Sequence, residues 1–513
     1  MNLLHLLAIA ERRAPGKTAL QFTRPGGDSM ELSYRELHQA SRRLAAGFRN
    51  WGLRKGDRVA FFLGNRPEFV TTYLALARLG AVIVPLNLAY RRRELSHVLA
   101  DAQPRLLLTE RHQLEILDAL KPTDRVSVEE LVLAEDLAAW ERPESDSRPV
   151  VGADDPATIM YTSGTTGRSK GAVISHRNLL AAMADLLAAW DWSPQDTLLL
   201  GLPLFHTHGL VVSLHCALAA GAKVLLHRRF EAARFVDALT ADEPTLFFGV
   251  PTMYLRLIEE IRSRSPTLDF SHMRLFCCGS APLAEETFAE FRKLTGHDIL
   301  ERYGMTETCM LLSNPYDGPR VAGSVGLPLP GVSVRIVDER DRDVAPGDEG
   351  ELLARGSNVF DGYWQAEDKT AESFTRDDHG SVWFRTGDLA RQDPDSGYFT
   401  LLGRRHELII SGGYNIYPRE VEEVLVGYAG VRDAAVIGAT HPEWGEVPVA
   451  FLEVDCEVDQ DGLTDYCQRQ MAKFKVPQAF EVVDSLPRNA LGKVQKHLLT
   501  SRVNLQPRSD SNQ

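Results

Sequence analysis

The sequence predicts an α/β protein with a large N-terminal domain, made of two parallel α/β layers and a β subdomain, and a small α+β C-terminal domain. Apolar strand-like runs alternate with helical stretches from Asp57 onwards, as in parallel sheets covered by helices. The pattern later changes to short β-like pieces separated by Gly, Pro and Asp. At 513 residues the chain also exceeds what one hydrophobic core usually serves, which favours at least two domains.

The first series of elements has a βαβαβ order. Its strands are short, almost wholly apolar runs, which are typical of strands buried on both faces, and the stretches between them have helical periodicity. In chain order the segments are RVAFFL, PEFVTTYLALARLGA, AVIVPLN, RRRELSHVLADA and RLLLT.

A second series repeats this order further along the chain. Apolar runs again alternate with amphipathic stretches, which predicts a second parallel sheet with its own helices. The strands are TLLLGLP, KVLLH, LFFGV and RLFCCG, and the helices include FEAARFVDALTAD and APLAEETFAEFRKLTG.

The remainder of the chain predicts the β subdomain and the C-terminal domain. Between Val321 and Gly403 the pieces VSVRIVD, GELLARG and GYFTLLGR favour antiparallel strands. After Gly403, PREVEEVLVGY and GLTDYCQRQMAKF read as helices, and DAAVIGA and VPVAFLEVD as strands. We therefore expect two domains, residues 1–403 and 404–513.

Composition excludes several classes of function. The 57 Lys and Arg against 70 Asp and Glu give a net charge of −13, which disfavours nucleic acid or an anionic membrane as the main partner. The six cysteines have neither metal-type spacing nor the density of a disulfide scaffold. With no apolar run of about 20 residues and no evident targeting signal, the sequence predicts a cytoplasmic protein that does not insert into membranes.

The segment YTSGTTGRSKG, from Tyr161 to Gly171, has the composition of a phosphate-binding loop. Its glycines let backbone amides approach an anion, its hydroxyls donate hydrogen bonds, and Lys170 supplies positive charge. It is neither a Walker A loop nor a nucleophile elbow, because Ser169 precedes Lys170 and Tyr161 stands two residues before Ser163. Taken alone, such a stretch would first be interpreted as a flexible surface linker. Its candidate nucleotide-binding residues are Thr162, Ser163, Gly164, Thr165, Thr166, Gly167, Arg168, Ser169 and Lys170.

Four later segments follow this loop in a characteristic order. They are ERYGMTET, FRTGDL, GRRHELIISGGYNIYPREVE and PRNALGKVQK. Together with the loop they resemble the adenylate-forming superfamily of acyl-CoA synthetases, luciferases and peptide-synthetase adenylation domains, over nearly the whole chain. The wording of HTHGL and ERYGMTET is most similar to malonyl-CoA synthetases. The resemblance implies ATP, Mg²⁺ and coenzyme A as cofactors and co-substrates.

The resemblance also implies roles for individual residues. Tyr303 would lie against adenine, Thr306 would meet the α-phosphate, and Glu307 would hold magnesium, which prefers oxygen ligands. Outside the family context, Glu307 would be read as a surface carboxylate. Further nucleotide contacts are expected in the same segment and in CCGSAPL, at Gly279, Ser280, Ala281, Glu301, Arg302, Gly304 and Met305.

In the C-terminal part the resemblance implies that Asp388 binds the ribose hydroxyls and that Arg404 contacts ribose or phosphate. Lys493 matches the catalytic lysine that bridges carboxylate and α-phosphate during adenylation. In this family the small domain is mobile and turns about a hinge, which here carries His406. In the second pose Gly412 and Gly413 would line the pantetheine tunnel.

The acid-binding pocket is predicted from segments that follow apolar strands, where open α/β sheets bind small molecules. These segments contribute His206, His208, Arg256 and Ser280. An arginine can bind a second carboxylate through two hydrogen bonds, so we expect a dicarboxylic acid, malonate or methylmalonate. Arg256 could instead be a surface residue of an amphipathic helix, paired with Glu259 or Glu260. The histidines could be core residues bonded to the backbone, whereas a zinc site is disfavoured.

Three other functions remain open at this stage. A short- or medium-chain monocarboxylate CoA ligase would share every ATP-binding segment. An adenylation enzyme that loads a carrier-protein thiol would differ only in its acceptor. A catalytically silent nucleotide-binding scaffold would also keep the fold, but such a protein is expected to have lost Glu307, Asp388 or Lys493.

Overall fold

The computed structural model describes residues 2–23, 29–121, 123, 127–144, 149–162, 169–264, 268–411, 414–441, 444–489 and 492–500. Contacts divide the chain into two compact units. The first comprises Met1–Val334 with Ala354–Phe384, and the second comprises Arg335–Leu353 with Arg385–Gln513. The predicted boundary at residue 403 therefore lies inside the second unit.

The α-helices begin and end at recognisable signals. In α2, Ser33 and Glu36 form a reciprocal capping box at the N-terminus, and Gly52 adopts a left-handed conformation with φ of 108° at the C-terminus. The helices are α1 Leu3–Arg13, α2 Tyr34–Trp51, α3 Pro67–Leu79, α4 Arg92–Ala102, α5 Leu114–Asp118, α6 His176–Ala189, α7 Cys216–Ala220, α8 Ala232–Ala241, α9 Pro251–Ser263, α10 Glu285–Thr295, α11 Glu367–Glu372, α12 Pro418–Val426 and α13 Gln460–Gln470.

The β-strands follow the apolar runs of the sequence. They are β1 Thr18–Thr23, β2 Ser29–Ser33, β3 Arg58–Phe62, β4 Val82–Pro85, β5 Leu106–Thr109, β6 Glu130–Leu133, β7 Pro156–Thr162, β8 Lys170–Ser175, β9 Thr197–Leu200, β10 Lys223–His227, β11 Leu246–Gly249, β12 Leu275–Cys278, β13 Ile299–Tyr303, β14 Leu312–Ser313, β15 Leu327–Pro328, β16 Val332–Val337, β17 Glu349–Gly356, β18 Gly362–Tyr363, β19 Phe374–Arg376, β20 Val382–Gln392, β21 Phe399–Arg404, β22 Ile409–Ser411, β23 Tyr414–Ile416, β24 Val431–His441, β25 Gly445–Val454 and β26 Ala479–Val482.

Two mixed sheets form the centre of the first unit. One has nine strands in the order β15-β14-β13-β12-β11-β9-β10-β1-β2, and the pairings from β13 to β1 are parallel. The other has seven strands in the order β18-β8-β7-β4-β3-β5-β6, with parallel pairing from β7 to β6. Their parallel strands are mostly buried along their length, because helices cover such sheets.

Two smaller sheets complete the fold. The third runs β16-β17-β20-β19, with β21 paired antiparallel to β20. The fourth runs β23-β22-β25-β24, with β26 parallel to β25, and it packs with α12 and α13 around Leu425, Val436 and Leu463. The observed fold confirms the predicted class: an α/β protein with several sheets in its N-terminal part and an α+β C-terminal part. Among the described residues, no helix combines the length and apolar character that crossing a bilayer requires.

Two buried histidines in the first unit make stability depend on pH. His176 begins α6 and His215 ends a π-helix that spans His208–His215. Both are almost fully buried, and their ring nitrogens have no hydrogen-bond partner among the described residues. Burial therefore lowers the pKa of His176 to about 4 and that of His215 to about 3.

We predict that the urea midpoint of unfolding falls as the pH drops from about 6.5, the ordinary histidine value, towards 4. In that range the unfolded chain binds protons that the folded chain excludes, so acid favours unfolding; above pH 7 both states are neutral and the effect vanishes. Tryptophan fluorescence in urea series at pH 7.5, 6.0 and 5.0 measures this. His215→Phe should flatten the pH dependence, whereas His379→Phe, at an exposed position, should leave it unchanged. An unaltered slope in His215→Phe would contradict the assignment.

Candidate active site

Four neighbouring strands of the nine-stranded sheet end at the same edge. β9, β11, β12 and β13 are parallel and adjacent, so the segments that follow their carboxyl ends come together. These segments contain HTHG, the start of α9, GSAP and GMTE. The edge therefore gathers residues that are up to about a hundred positions apart in the chain.

His208 and Ser280, both predicted to lie in the acid pocket, are in contact at this edge. Nδ1 of His208 lies 3.2 Å from Oγ of Ser280, and Nε2 of His208 is buried without a partner among the described residues. Ser280 has a left-handed backbone with φ of 71°. A non-glycine residue in this conformation costs about 1 kcal/mol or more, and such strain concentrates at functional sites.

Arg302, which the sequence analysis assigned to nucleotide binding, is the most unusual residue of this edge. It lies on β13 and is only 4% exposed, yet its Nε and Nη2 have no hydrogen-bond partner among the described residues. The guanidinium donates a hydrogen bond to the Cys277 sulfur, but no carboxylate of the described part pairs with Arg302, and burial lowers the pKa of Arg302. A buried guanidinium without a counter-ion is costly, which indicates that a ligand supplies the missing acceptor.

Burial and the nearby Arg302 guanidinium both lower the pKa values of His206 and His208. Burial, followed by the charge of Arg302, lowers the pKa of His206 to about 4 and shifts that of His208 well below its usual value. Part of the His206 side chain stays exposed, but neighbouring atoms crowd its ring. Both imidazoles are therefore neutral at physiological pH, so the positive charge of the pocket comes from arginine.

Arg256, which the sequence analysis favoured as the carboxylate ligand, is exposed on α9. Glu260, one of its two suggested helix partners, instead pairs with Arg264 at 2.7 Å. Tyr254 of the same helix is buried and donates a hydrogen bond to the carbonyl oxygen of Cys277 at 2.9 Å. The structure thus buries Arg302 at the strand edge and places Arg256 at the protein surface, a distinction that helical periodicity did not reveal.

Glu307 lies in a tight turn after β13. Gly304 approaches the chain so closely that a Cβ atom there would be 2.5 Å from the carbonyl oxygen of Cys309, so only glycine fits. The side-chain amide of Asn358 donates to the carbonyl oxygens of Thr308 and Met310 at 2.8 and 2.7 Å. These contacts hold Glu307 in place, with 5% of its surface exposed.

Tyr363, which the sequence analysis did not identify, connects Glu307 with the phosphate-loop strand. Its hydroxyl donates to Oε1 of Glu307 at 2.9 Å, and the Lys170 ammonium lies 5.2 Å from the centre of its ring. Oγ1 of Thr162 is 3.5 Å from the same Glu307 oxygen. The only sequence signal for Tyr363 was its place in the GYW segment after an apolar run, which is too common to be informative.

The phosphate loop joins β7 to β8. In their antiparallel pairing, Thr162 stands opposite Lys170, so both ends of the loop meet at one point. His97 of α4 approaches the Ser169 carbonyl oxygen at 2.8 Å through Nε2. Ser163, Gly164, Thr165, Thr166, Gly167 and Arg168 lie outside the described residues.

The other predicted nucleotide contacts follow the carboxyl ends of β12 and β13. Glu301 is buried and accepts a hydrogen bond from the backbone amide of Leu283 at 3.2 Å, which braces the segment after β12. Tyr303 is also buried, whereas Thr306 is half-buried. Gly279, Ala281 and Met305 lie in the same two segments. Their contacts with a nucleotide stay predictions.

The second unit brings three further predicted residues together. Asp388 and Arg404 stand opposite each other on β20 and β21, and their side chains form an ion pair of 2.8 Å. The third residue is Lys493, whose backbone carbonyl oxygen accepts a hydrogen bond of 2.8 Å from the backbone amide of Asn489. The Lys493 side chain keeps exposed surface, but crowding of its ammonium and the charge of Arg404 lower its pKa. Gly412, Gly413 and the side chain of His406 lie outside the described residues.

The residues around Glu307 fit a magnesium ion that is shared with phosphates. The Glu307 carboxylate is buried, and no lysine or arginine of the described part forms an ion pair with it. No cluster of three or more His, Cys, Asp or Glu suited to a metal occurs within the described residues. Magnesium at nucleotides commonly takes one or two carboxylates and completes its shell with phosphate oxygens and water. A single buried carboxylate therefore suits it.

Comparison with known proteins assigns the family. Residues 7–364 match the AMP-binding enzyme family, and residues 420–493 match the AMP-binding enzyme C-terminal domain. This chain belongs to the AMP-binding enzymes, in the adenylate-forming superfamily. Its predicted recognition is thereby confirmed, and it is an AMP-forming acid–thiol ligase.

Relatives of this AMP-binding enzyme act on different acids. It is 38% identical to a feruloyl-CoA synthase of Amycolatopsis sp. over 94% of its own length and 96% of the relative. It is 35% identical to the mitochondrial malonate–CoA ligase ACSF3 of Mus musculus, over 92% and 87%. Identity of this order establishes the ligase class and leaves the acid open.

Solved structures show the same fold with ligands bound. ATP-bound MatB from Rhodopseudomonas palustris aligns with a TM-score of 0.88 at 39% identity, over 98% of this chain and 99% of that one. The o-succinylbenzoate CoA synthetase MenE of Bacillus subtilis, in complex with ATP and magnesium ion, aligns with a TM-score of 0.85 at 32% identity, over 96% and 98%. Related enzymes thus bind ATP and magnesium.

We predict that Gly279→Ala lowers kcat/KM for the acid by about tenfold or more, because a Cβ atom there would lie 2.7 Å from Cζ and Nε of Arg302. The guanidinium is buried and has little room to move. Initial rates of AMP formation at varied acid and saturating ATP measure the effect. Gly16→Ala is the control, since no atom lies within 4 Å of its added Cβ. Wild-type kcat/KM in Gly279→Ala would show that Arg302 does not depend on this close approach.

Proposed function

We propose that this enzyme joins a short dicarboxylic acid, malonate or methylmalonate, to coenzyme A at the expense of ATP. The observation that carries the proposal is the buried Arg302 guanidinium with two unpartnered nitrogens, at the strand edge where acid is expected. Arginine binds carboxylates through a planar fork of donors, and a second carboxylate of the acid would satisfy both nitrogens. The similarity to a malonate–CoA ligase supports the same acid.

The competing acids fit the pocket less well. An aliphatic or aromatic monocarboxylate would place apolar atoms against Arg302 and leave its charge uncompensated, which is expensive in a buried site. Neutral His206 and His208 cannot replace the missing anion, but they can donate or accept hydrogen bonds at the pocket wall. The pocket therefore favours an acid with a second anionic group over ferulate or a fatty acid.

The proposed reaction has two steps. A carboxylate oxygen of the acid attacks the α-phosphorus of ATP, the bond to the β-phosphate oxygen breaks, and diphosphate leaves. The thiol sulfur of coenzyme A then attacks the acyl carbon, AMP leaves with the carboxylate-derived oxygen, and the thiol proton passes to solvent. No protein nucleophile takes part in either step.

The chain's own residues act by position and charge. Lys493 would neutralise charge on the α-phosphate during adenylation, and Asp388 would bind the ribose hydroxyls. Thr162 and Lys170 mark the two ends of the phosphate loop, and Thr306 would meet the α-phosphate. Glu307 would hold magnesium, which reduces the repulsion between the phosphates and the incoming carboxylate. These roles follow the family motifs on which the residues lie.

The proposed acid is tested by a substrate panel of malonate, methylmalonate, succinate, acetate, octanoate and ferulate, each with ATP, Mg²⁺ and coenzyme A. We expect malonate or methylmalonate to give the highest kcat/KM, measured as AMP and acyl-CoA formation. A lead for acetate, octanoate or ferulate would leave the ligase class intact and defeat the dicarboxylate proposal.

Substitution of the buried arginine tests the pocket itself. Arg302→Met should lower kcat/KM for malonate by about 100-fold, because a site built around a buried polar group discriminates strongly when the pairing is lost. The KM for ATP should change by less than about threefold, since the charge lies in the acid pocket. Arg256→Ala tests the alternative ligand, and Arg292→Met, on the exposed surface of α10, is the control. A larger loss of kcat/KM for malonate in Arg256→Ala than in Arg302→Met would show that Arg256, and not Arg302, binds the second carboxylate.

A further inference from the structure

Tyr363 lies where three parts of the nucleotide site meet. It belongs to β18, which pairs antiparallel with β8, and it stands opposite Ala172, two residues after Lys170. The next residue, Trp364, donates its backbone amide to the carbonyl oxygen of Gly171 at 2.7 Å. The aromatic ring of Tyr363 is thereby held beside the end of the phosphate loop.

The Tyr363 hydroxyl and ring make separate contacts with two charged residues. The hydroxyl donates to Oε1 of Glu307 at 2.9 Å, while the ring faces the Lys170 ammonium at 5.2 Å from its centre. A hydrogen bond to a carboxylate orients it, and the face of an aromatic ring attracts a cation. One side chain therefore contacts both a predicted metal ligand and a predicted phosphate ligand.

The position of Tyr363 is itself strongly constrained. Its backbone amide donates to Oγ1 of Thr370 at 2.9 Å, and its ring packs edge-on against Phe360 at 4.9 Å. Phe360 in turn donates its amide to the carbonyl oxygen of Glu307 at 2.7 Å. Gly362 has φ of 139°, and a Cβ atom there would lie 2.7 Å from Thr370. The Glu307 main chain and side chain are thus both held by the segment that contains Tyr363.

The Glu307 carboxylate needs such support. It is buried, and among the described residues its side-chain contacts are hydroxyl groups, Tyr363 at 2.9 Å and Thr162 at 3.5 Å, both on Oε1. Hydroxyl donors restrict the rotation of the carboxylate, without supplying a positive charge beside it. A divalent cation supplies that charge.

We propose that Tyr363 is a positioning residue that orients the Glu307 carboxylate for the divalent cation and aligns Lys170 towards the phosphates. This rests on the proposed function, in which Mg²⁺ and ATP bind at this site. The hydroxyl serves the cation and the ring serves the lysine, so the two effects are separable. Tyr363→Phe removes only the hydrogen bond to Glu307, whereas Tyr363→Leu also removes the ring beneath Lys170.

The experiment measures cation binding directly as well as activity. Mn²⁺ affinity in the presence of a non-hydrolysable ATP analogue is followed by electron paramagnetic resonance, and the Mg²⁺ dependence of acid-stimulated pyrophosphate exchange is measured in parallel. In Tyr363→Phe we expect both the Mn²⁺ dissociation constant and the half-saturating Mg²⁺ to rise by about tenfold or more, as expected for losing a hydrogen bond to a charged group. Exchange at saturating Mg²⁺ should stay within about threefold of wild type. Tyr363→Leu should in addition raise the KM for ATP.

Two controls separate positioning from general damage. Tyr428→Phe changes a tyrosine of the second unit and should leave all values unchanged. In a Glu307→Gln background, Tyr363→Phe should have no further effect on Mn²⁺ affinity, because the carboxylate it orients is gone. An unchanged Mn²⁺ affinity in Tyr363→Phe, or an equal effect of that substitution with and without Glu307, would overturn the proposal. A wild-type enzyme that binds Mn²⁺ with the ATP analogue but exchanges no pyrophosphate with malonate or methylmalonate would instead defeat the proposed dicarboxylate function, and the Mn²⁺ comparison would still decide the role of Tyr363.

Discussion

The parallel, adjacent pairing of β9, β11, β12 and β13 is the constraint on which the site depends. Parallel strands end at one edge, so the chain must leave each of them at the same place. Because the strands are buried on both faces, polar groups concentrate in the segments that follow their ends. The chemistry of the pocket is therefore a consequence of the sheet that carries it.

Two buried charges of opposite sign give this edge its character. Arg302 is buried on β13 without a carboxylate partner in the described part, and Glu307 is buried five residues later without a cationic partner there. They do not pair with each other, although each would lower the cost of burying the other. A protein that keeps both charges separate in its interior retains positive charge for an anion and negative charge for a cation.

Strain and close packing support these charges. The two segments that follow β12 and β13 contain three such features. Ser280 has a left-handed backbone, Gly304 packs against the Cys309 carbonyl, and Gly279 packs against the Arg302 guanidinium. Each restricts the local conformations, and together they hold His208, Arg302 and Glu307 in fixed directions. The seven-stranded sheet contributes β7, β8 and β18, and Tyr363 of β18 connects this sheet with Glu307. In the second unit, the ion pair between Asp388 and Arg404 similarly fixes side chains next to the turn of Lys493.

Local pattern was sufficient for the strands, the helices and the order of the ATP-binding segments. Apolar runs such as LFFG and LFCC are strands that are buried along their whole length. The stretches between them are helices, whose apolar residues recur with the helical period because one face is buried. The family motifs located Glu307, Asp388 and Lys493, because each of these residues has a fixed position in a short motif and the motifs follow one another in a fixed order. By itself the sequence thus determined the class of fold and the class of reaction.

Only the tertiary structure decided which charges are buried and which residues touch. Arg256 and Arg302 both follow apolar stretches, but α9 turns the first outwards whereas β13 carries the second into the interior. Tyr363 lies 56 residues from Glu307 and has no motif of its own, so its hydrogen bond could not be read from spacing. Burial and pairing depend on the packing of distant segments, and it is this packing that distinguishes a buried, unpaired arginine from a solvated one.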